Sequence, residues 1–269
     1  MKITFIGGGN MAFAMIGGLC RQGGAANNIT VIERLPEQRE KIVREFGVRV
    51  LAKPDEAAIA ADIIILAVKP QQMREAIVPL VGSLERQLVL SIAAGLPLAT
   101  LSGWLAGFRR LIRAMPNTPA LIGAGMTGLY ALPEVQKEER DAAELVLRAV
   151  GEALWVEDEA EMDAITAISG SGPAYLFLFI ESLEAAAGQL GFSADAARKL
   201  AIATTLGAAR LAAAAEEPPA LLRERVTSKG GTTAAALAVM AENKVSEGII
   251  AGAMAARERS REMARQLAS

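Results

Sequence analysis

The sequence predicts an α/β protein. A doubly wound parallel sheet fills residues 1–156, and an all-α domain follows over residues 157–269. Three observations predict this. Short β-branched runs alternate with helical patterns through the first part. The run Asp62-Ile63-Ile64-Ile65-Leu66-Ala67-Val68 is apolar after its first residue, as a central parallel strand covered on both faces must be. Past Glu157 strand signals stop and alanine dominates.

The first strand is Lys2-Ile3-Thr4-Phe5-Ile6. It runs into Gly7-Gly8-Gly9-Asn10-Met11-Ala12 and then an apolar, proline-free helix over residues 11–20. The spacing fits G-x-G-x-x-A, the turn of a Rossmann-type dinucleotide-binding unit. Gly7 makes the tight turn, Gly9 lets a diphosphate approach the backbone, and Ala12 lets helix and strand pack closely. Amides at the helix start, around Asn10 and Met11, favour a phosphate. A second strand, Ile29-Thr30-Val31-Ile32, ends in Glu33-Arg34, where such a unit addresses the adenosine ribose. A carboxylate there favours NAD and an arginine favours NADP, so the pair pulls both ways.

The other elements follow in order. Gly23-Gly24 break the chain after the first helix. Pro36 opens a helix that Gly47 stops, and Val48-Arg49-Val50 is a short strand. A short helix spans residues 54–61. The apolar run of residues 62–68 ends at Lys69-Pro70, residues 88–92 end in Ala93-Ala94-Gly95, and Leu111-Ile112-Arg113 leads to Met115-Pro116-Asn117-Thr118-Pro119. Ligands of such sheets lie beyond the strands' carboxyl ends. The segments Ala67-Val68-Lys69-Pro70 and Ala93-Ala94-Gly95, together with Asn117, are therefore candidates for the cofactor crevice. A strand at 126–131 and an amphipathic helix at 135–150 follow, and Gly151 and Trp155-Val156 close the domain.

The second part is helical throughout. A helix apolar almost all round spans residues 173–190, and Ser193 caps another that runs to about 215. Pro218-Pro219 and Lys229-Gly230-Gly231 each break the chain before a further helix, and a last one covers 245–267. Alanine-rich helices apolar on so many faces need a partner, and a second copy of the same domain is the expected one.

Composition excludes much. Of 269 residues none is histidine, so a Ser-His-Asp triad, a histidine base and histidine metal ligands are all ruled out. No metal site is expected, and the absence favours a cofactor that carries the chemistry itself. A net charge of −2 makes no case for nucleic acid or an anionic membrane. The uncharged stretch at residues 88–108 contains Gly95, Pro97 and Gly103 and reads as buried core rather than a membrane span. One cysteine, Cys20, and a strand where a signal peptide would stand point to a cytoplasmic protein.

The densest polar stretch of the second part is Thr227-Ser228-Lys229-Gly230-Gly231-Thr232-Thr233, at a helix start. Successive amides there, with glycines allowing close approach, make a carboxylate site. An ordinary threonine cap after a glycine turn is the structural alternative.

The combination resembles the pyrroline-5-carboxylate reductase family from end to end. The resemblance is carried by Gly7-Gly8-Gly9-Asn10-Met11-Ala12, Ala67-Val68-Lys69-Pro70-Gln71, Ser91-Ile92-Ala93-Ala94-Gly95, Arg113-Ala114-Met115-Pro116-Asn117-Thr118-Pro119 and Ser169-Gly170-Ser171-Gly172-Pro173-Ala174-Tyr175. It ends in Val226-Thr227-Ser228-Lys229-Gly230-Gly231-Thr232-Thr233, the most specific of these. Glu33 departs from the pattern, since many relatives carry a neutral residue before the arginine.

The resemblance implies hydride transfer from NADP(H), with NAD(H) as a second cofactor, to the imine carbon of 1-pyrroline-5-carboxylate, giving L-proline. It implies that Ser228, Gly230, Gly231 and Thr232 hold the substrate, with Thr233 on the ring nitrogen as the catalytic residue. It also implies homodimers interleaved through the helical domain and assembled into larger rings. Two other readings share the layout. A β-hydroxyacid dehydrogenase needs a catalytic lysine that the helix at 173–190 does not offer. A nucleotide-sensing relative without turnover does not need the intact residues 228–233.

Overall fold

The computed structural model describes residues 1–23 and 26–268. Gly24, half of the expected break after the first helix, lies outside them. In chain order β1 (Ile3–Ile6), α1 (Asn10–Arg21), β2 (Ile29–Ile32), α2 (Pro36–Phe46) and β3 (Arg49–Leu51) come first. Next are α3 (Glu56–Ile59), β4 (Ile63–Leu66), α4 (Pro70–Ala76), β5 (Leu88–Ser91), α5 (Leu98–Trp104) and β6 (Leu111–Met115). Then β7 (Gly125–Ala131), α6 (Lys137–Arg148), β8 (Gly151–Trp155) and α7 (Glu161–Ile165) follow.

The eight strands form one sheet in the order β3-β2-β1-β4-β5-β6-β7-β8. The chain starts in the middle, winds out to β3 and returns through β4, the doubly wound arrangement expected from sequence. All pairings are parallel except β6 with β7. Between those two the chain makes a short connection with one 3-10 helix, Thr118–Ile122, and no long crossover helix to carry it back. A short connection of that kind joins antiparallel neighbours.

The central strands show why their sequence is apolar without alternation. Ile63 and Ile65 enter a core with Met15, Ile16 and Leu19 of α1 and Val146 and Leu147 of α6. Ile64 and Leu66 enter the opposite core with Met73 of α4 and Leu98 and Leu101 of α5. All four β4 side chains are buried, each contributing about 1.5–3 kcal/mol. The uncharged stretch at 88–108 is β5, a turn and α5, buried in this sheet unit.

The remaining helices are α8 (Gly172–Gln189), α9 (Ala194–Ala214), α10 (Pro219–Arg225), α11 (Thr232–Glu242) and α12 (Val245–Ala268). One π-helical turn, Thr166–Gly170, precedes α8. By contacts the chain forms two compact units. The first comprises Met1–Ser171 with the residues from Ala255 on, and the second comprises Gly172–Met254. The end of α12 joins the first unit through Ser260, whose hydroxyl donates to Asp163 Oδ1 at 2.7 Å, and through Met263, packed on Gly95.

Candidate cofactor and substrate sites

The register of the sheet brings most of the predicted cofactor residues to one edge. Ile6 pairs with Ile32 on one side and Leu66 on the other, and Leu66 pairs with Ser91. Gly7, Glu33, Ala67 and Ala93 therefore follow the carboxyl ends of adjacent strands. Backbone bonds carry the ladder past the strand ends, with the amide of Gly7 donating to Ile32 and that of Ala67 to Ile6, both at 2.8 Å.

The three glycines of the turn are glycine for different reasons. Gly7 has φ +103°, and a Cβ there would lie 2.7 Å from the Ala67 carbonyl oxygen and 2.8 Å from Val68 Cγ1. Both strain and crowding exclude a side chain, and the contact brings Ala67 and Val68 against the turn. Gly8 is buried, and a Cβ would meet Ile42. Gly9 is exposed, and a Cβ there would meet no protein atom. Gly9 precedes Asn10 as the N-cap of α1, which has no side-chain cap. The open space and the uncapped amides around Asn10 and Met11 fit a diphosphate, which the helix dipole favours.

Glu33 does more than face outward. Its Oε2 accepts the Gly8 amide at 2.8 Å and its Oε1 the Leu35 amide at 2.9 Å. Gln38 Nε2 donates to the Gly8 carbonyl at 2.6 Å. Arg39 donates to the Glu33 and Arg34 carbonyls at 3.0 and 2.7 Å. Gln38 and Arg39 are supports that the sequence reading did not single out, since both look like ordinary polar residues of a helix. Arg34 is exposed and donates to Glu75 of α4 at 2.8 Å.

Lys69 is the exposed N-cap residue of α4, with Pro70 at its first position. Ala93 and Gly95 are buried and Ala94 is half-buried, with Met263 against Gly95. Asn117 is buried with its amide fully used. Nδ2 donates to the Ser169 carbonyl and hydroxyl at 3.1 and 3.2 Å, and Oδ1 accepts the Met126 amide at 2.9 Å. Behind these loops Arg113 is buried with an ion pair to Glu159 at 3.2 Å, and Glu159 also accepts the Leu98 amide at 2.7 Å. Cys20 is half-buried, and burial pushes its thiol pKa up. No group of three or more acidic or cysteine side chains among the described residues could hold a metal ion.

The second unit carries the other segment. Gly230 has φ +74°, and the Gly231 amide donates to the Ser228 carbonyl at 3.0 Å. A Cβ at Gly231 would strike Ser228, so the turn closes tightly. Gly231 is the N-cap of α11 without a side-chain cap, and Thr232 and Thr233 are its first two residues. Neither threonine hydroxyl caps the helix, which removes the ordinary structural explanation for this sequence. The first-turn amides and two hydroxyls are left to meet an anion.

Two family models match the chain. One, described as pyrroline-5-carboxylate reductase dimerisation, matches residues 159–263; the other, an NADP oxidoreductase, coenzyme F420-dependent, matches residues 2–95. The pyrroline-5-carboxylate reductase of Pseudomonas aeruginosa is 47% identical over 212 residues, 78% of each chain. The chain belongs to the pyrroline-5-carboxylate reductase family. Among solved structures, the reductase of Coxiella burnetii superposes with a TM-score of 0.90 at 39% identity, covering 97% of this chain and 98% of that one. The Plasmodium falciparum reductase, solved with NADP bound, gives 0.87 at 27% identity over 98% of both chains. Membership of the pyrroline-5-carboxylate reductase family accounts for both halves of the fold, the sheet unit and the helices after it.

Proposed function

We propose that the protein reduces 1-pyrroline-5-carboxylate to L-proline with NADPH, the last step of proline biosynthesis, in the cytoplasm. The observation that carries this reading is the uncapped start of α11 behind the Ser228-Lys229-Gly230-Gly231 turn. In this reading the backbone at Gly230, Gly231 and Thr232, with the Ser228 hydroxyl, anchors the substrate carboxylate. Thr233 hydrogen-bonds the ring nitrogen and orients it. A protonated imine is already electrophilic, so the lack of histidine costs the reaction nothing: positioning is what the protein must supply.

The sheet unit fits NADP(H), which when bound supplies the hydride. Gly7 and Gly9 with the amides around Asn10 and Met11 hold its diphosphate, and Arg34 meets the 2′-phosphate. The loops at Ala67, Val68, Lys69 and Pro70, at Ala93, Ala94 and Gly95, and at Asn117 line the rest of the crevice. NAD(H) is accepted less well.

The protein forms homodimers through its helical part, residues 157–269, and rings of dimers beyond that. Support comes from the exposed apolar side chains of that part, among them Phe177, Leu178, Ile249 and Ile250. The helical stretch Glu161–Gln189 is long and apolar enough to cross a membrane, and most of it is not buried within the chain. The dimerisation family matches this same stretch, which supports a second copy as its cover. Steady-state oxidation of L-proline with NADP at alkaline pH tests the reading. Turnover supports it, and folded protein that binds NADP without turnover returns the chain to a nucleotide-sensing role.

A further inference from the structure

Arg34 stands just past the carboxyl end of β2, and Glu75 stands in the last turns of α4, 41 positions later. Their side chains are 75% and 69% exposed, yet Nη1 of Arg34 donates to Glu75 Oε1 at 2.8 Å. The neighbouring cation, Arg39, is already bonded to the carbonyls of residues 33 and 34. Both oxygens of Glu33 are bonded to backbone amides. Among the described residues, Glu75 is thus the one carboxylate paired with the Arg34 guanidinium.

A carboxylate oxygen and a phosphate oxygen are alternative acceptors for the same guanidinium donors. We propose that Glu75 is a specificity-determining residue, a built-in competitor for Arg34 that the 2′-phosphate of NADP(H) must displace and that NAD(H) leaves in place. This rests on the reading that Arg34 meets the 2′-phosphate. Glu75 lowers the preference for NADP(H) while keeping Arg34 aligned in its absence. The pair is exposed, so the effect is modest, about two- to fivefold in affinity, and shrinks as salt rises.

The test is a calorimetric double-mutant cycle on the full chain at low salt. NADP⁺, NAD⁺ and adenosine 2′,5′-bisphosphate are titrated into wild type, Glu75→Gln, Arg34→Ala and the double variant. Both exposed substitutions should leave the circular dichroism unchanged. Glu75→Gln is expected to tighten NADP⁺ and the bisphosphate about two- to fivefold, to leave NAD⁺ unchanged, and to gain nothing in the Arg34→Ala background. An equal gain for NAD⁺, or a gain that survives without Arg34, would show a general field effect and overturn the proposal. If Arg34→Ala itself costs NADP⁺ nothing, the reading beneath the proposal falls, and the proposal with it.

Discussion

Glu33 Oε2 accepts the backbone amide of Gly8 at 2.8 Å, closing a bond between the end of β2 and the glycine turn after β1. Its other oxygen is bonded to Leu35. The carboxylate is therefore part of the turn's scaffold. Replacing it with glutamine removes the charge that strengthens two backbone bonds, a loss of about 1–3 kcal/mol. Glu33→Gln is expected to lower the melting temperature and to weaken NADP⁺ and NAD⁺ alike. Calorimetric titration of both cofactors checks this. A loss confined to NAD⁺ would mean that Glu33 reads the ribose hydroxyls instead.

Two glycines two residues apart should fail in opposite ways. Gly7→Ala forces a side chain onto a φ of +103° and into the Ala67 carbonyl, costing about 1–3 kcal/mol from backbone strain alone. A Cβ at Gly9 meets no protein atom, so Gly9→Val should stay folded, at the cost of a poorer N-cap, and lose cofactor binding. Thermal melts with cofactor titration on both variants decide it. Unchanged affinity in folded Gly9→Val would remove the diphosphate from this turn.

These positions show what was legible. The glycine spacing, the apolar β4 and the strand-end loops announce themselves, because each is a local pattern imposed by turn geometry or by burial on both faces. Partnerships between distant residues do not. Nothing at Glu75 points to Arg34, nor anything at Ser260 to Asp163, since an exposed acid and a helix serine look the same with or without such a partner. β8 was missed for a related reason. It is an edge strand whose five residues alternate between half-buried and exposed, so Gly151-Glu152-Ala153-Leu154-Trp155 does not read as a buried run. At α11 the sequence left a helix cap and a carboxylate site open, and only the geometry shows that no side chain caps the helix.

Arg113 is 5% exposed and stands between Glu159 at 3.2 Å and Asp163 at 3.7 Å, tying β6 to α7. Removing the cation leaves Glu159 without its ion-pair partner in a largely buried site, while Asp163 keeps Arg261 at 3.8 Å and the Ser260 hydroxyl. Arg113→Met is expected to cost about 3–5 kcal/mol of stability. Urea unfolding is the measurement. A loss under about 1 kcal/mol would place this cluster with ordinary surface pairs.

The second unit should not persist as a single chain. Phe177 and Leu178 are each 64% exposed on α8, and no residue of α11 is buried. Light scattering at micromolar concentration should show no 28.2 kDa species, and Phe177→Asp should weaken assembly. A stable, active monomer would overturn the dimer.

Substitutions at Thr233 separate a substrate contact from a purely structural residue. A hydrogen bond to a charged partner contributes about 1.5–3 kcal/mol, so Thr233→Ala should lower kcat/KM about tenfold to a hundredfold, while Thr233→Ser loses much less. Normal kinetics in a destabilised Thr233→Ala variant would return the residue to a structural role.

The proposed reaction sends a hydride to the imine carbon of 1-pyrroline-5-carboxylate. The most direct measurement incubates the protein with this imine and NADPH deuterated at the transferable C4 position, each diastereomer in turn, and analyses the product by mass spectrometry. The expected product is L-proline carrying one deuterium at C5 from one diastereomer and none from the other. No proline, or proline unlabelled from both, would contradict it.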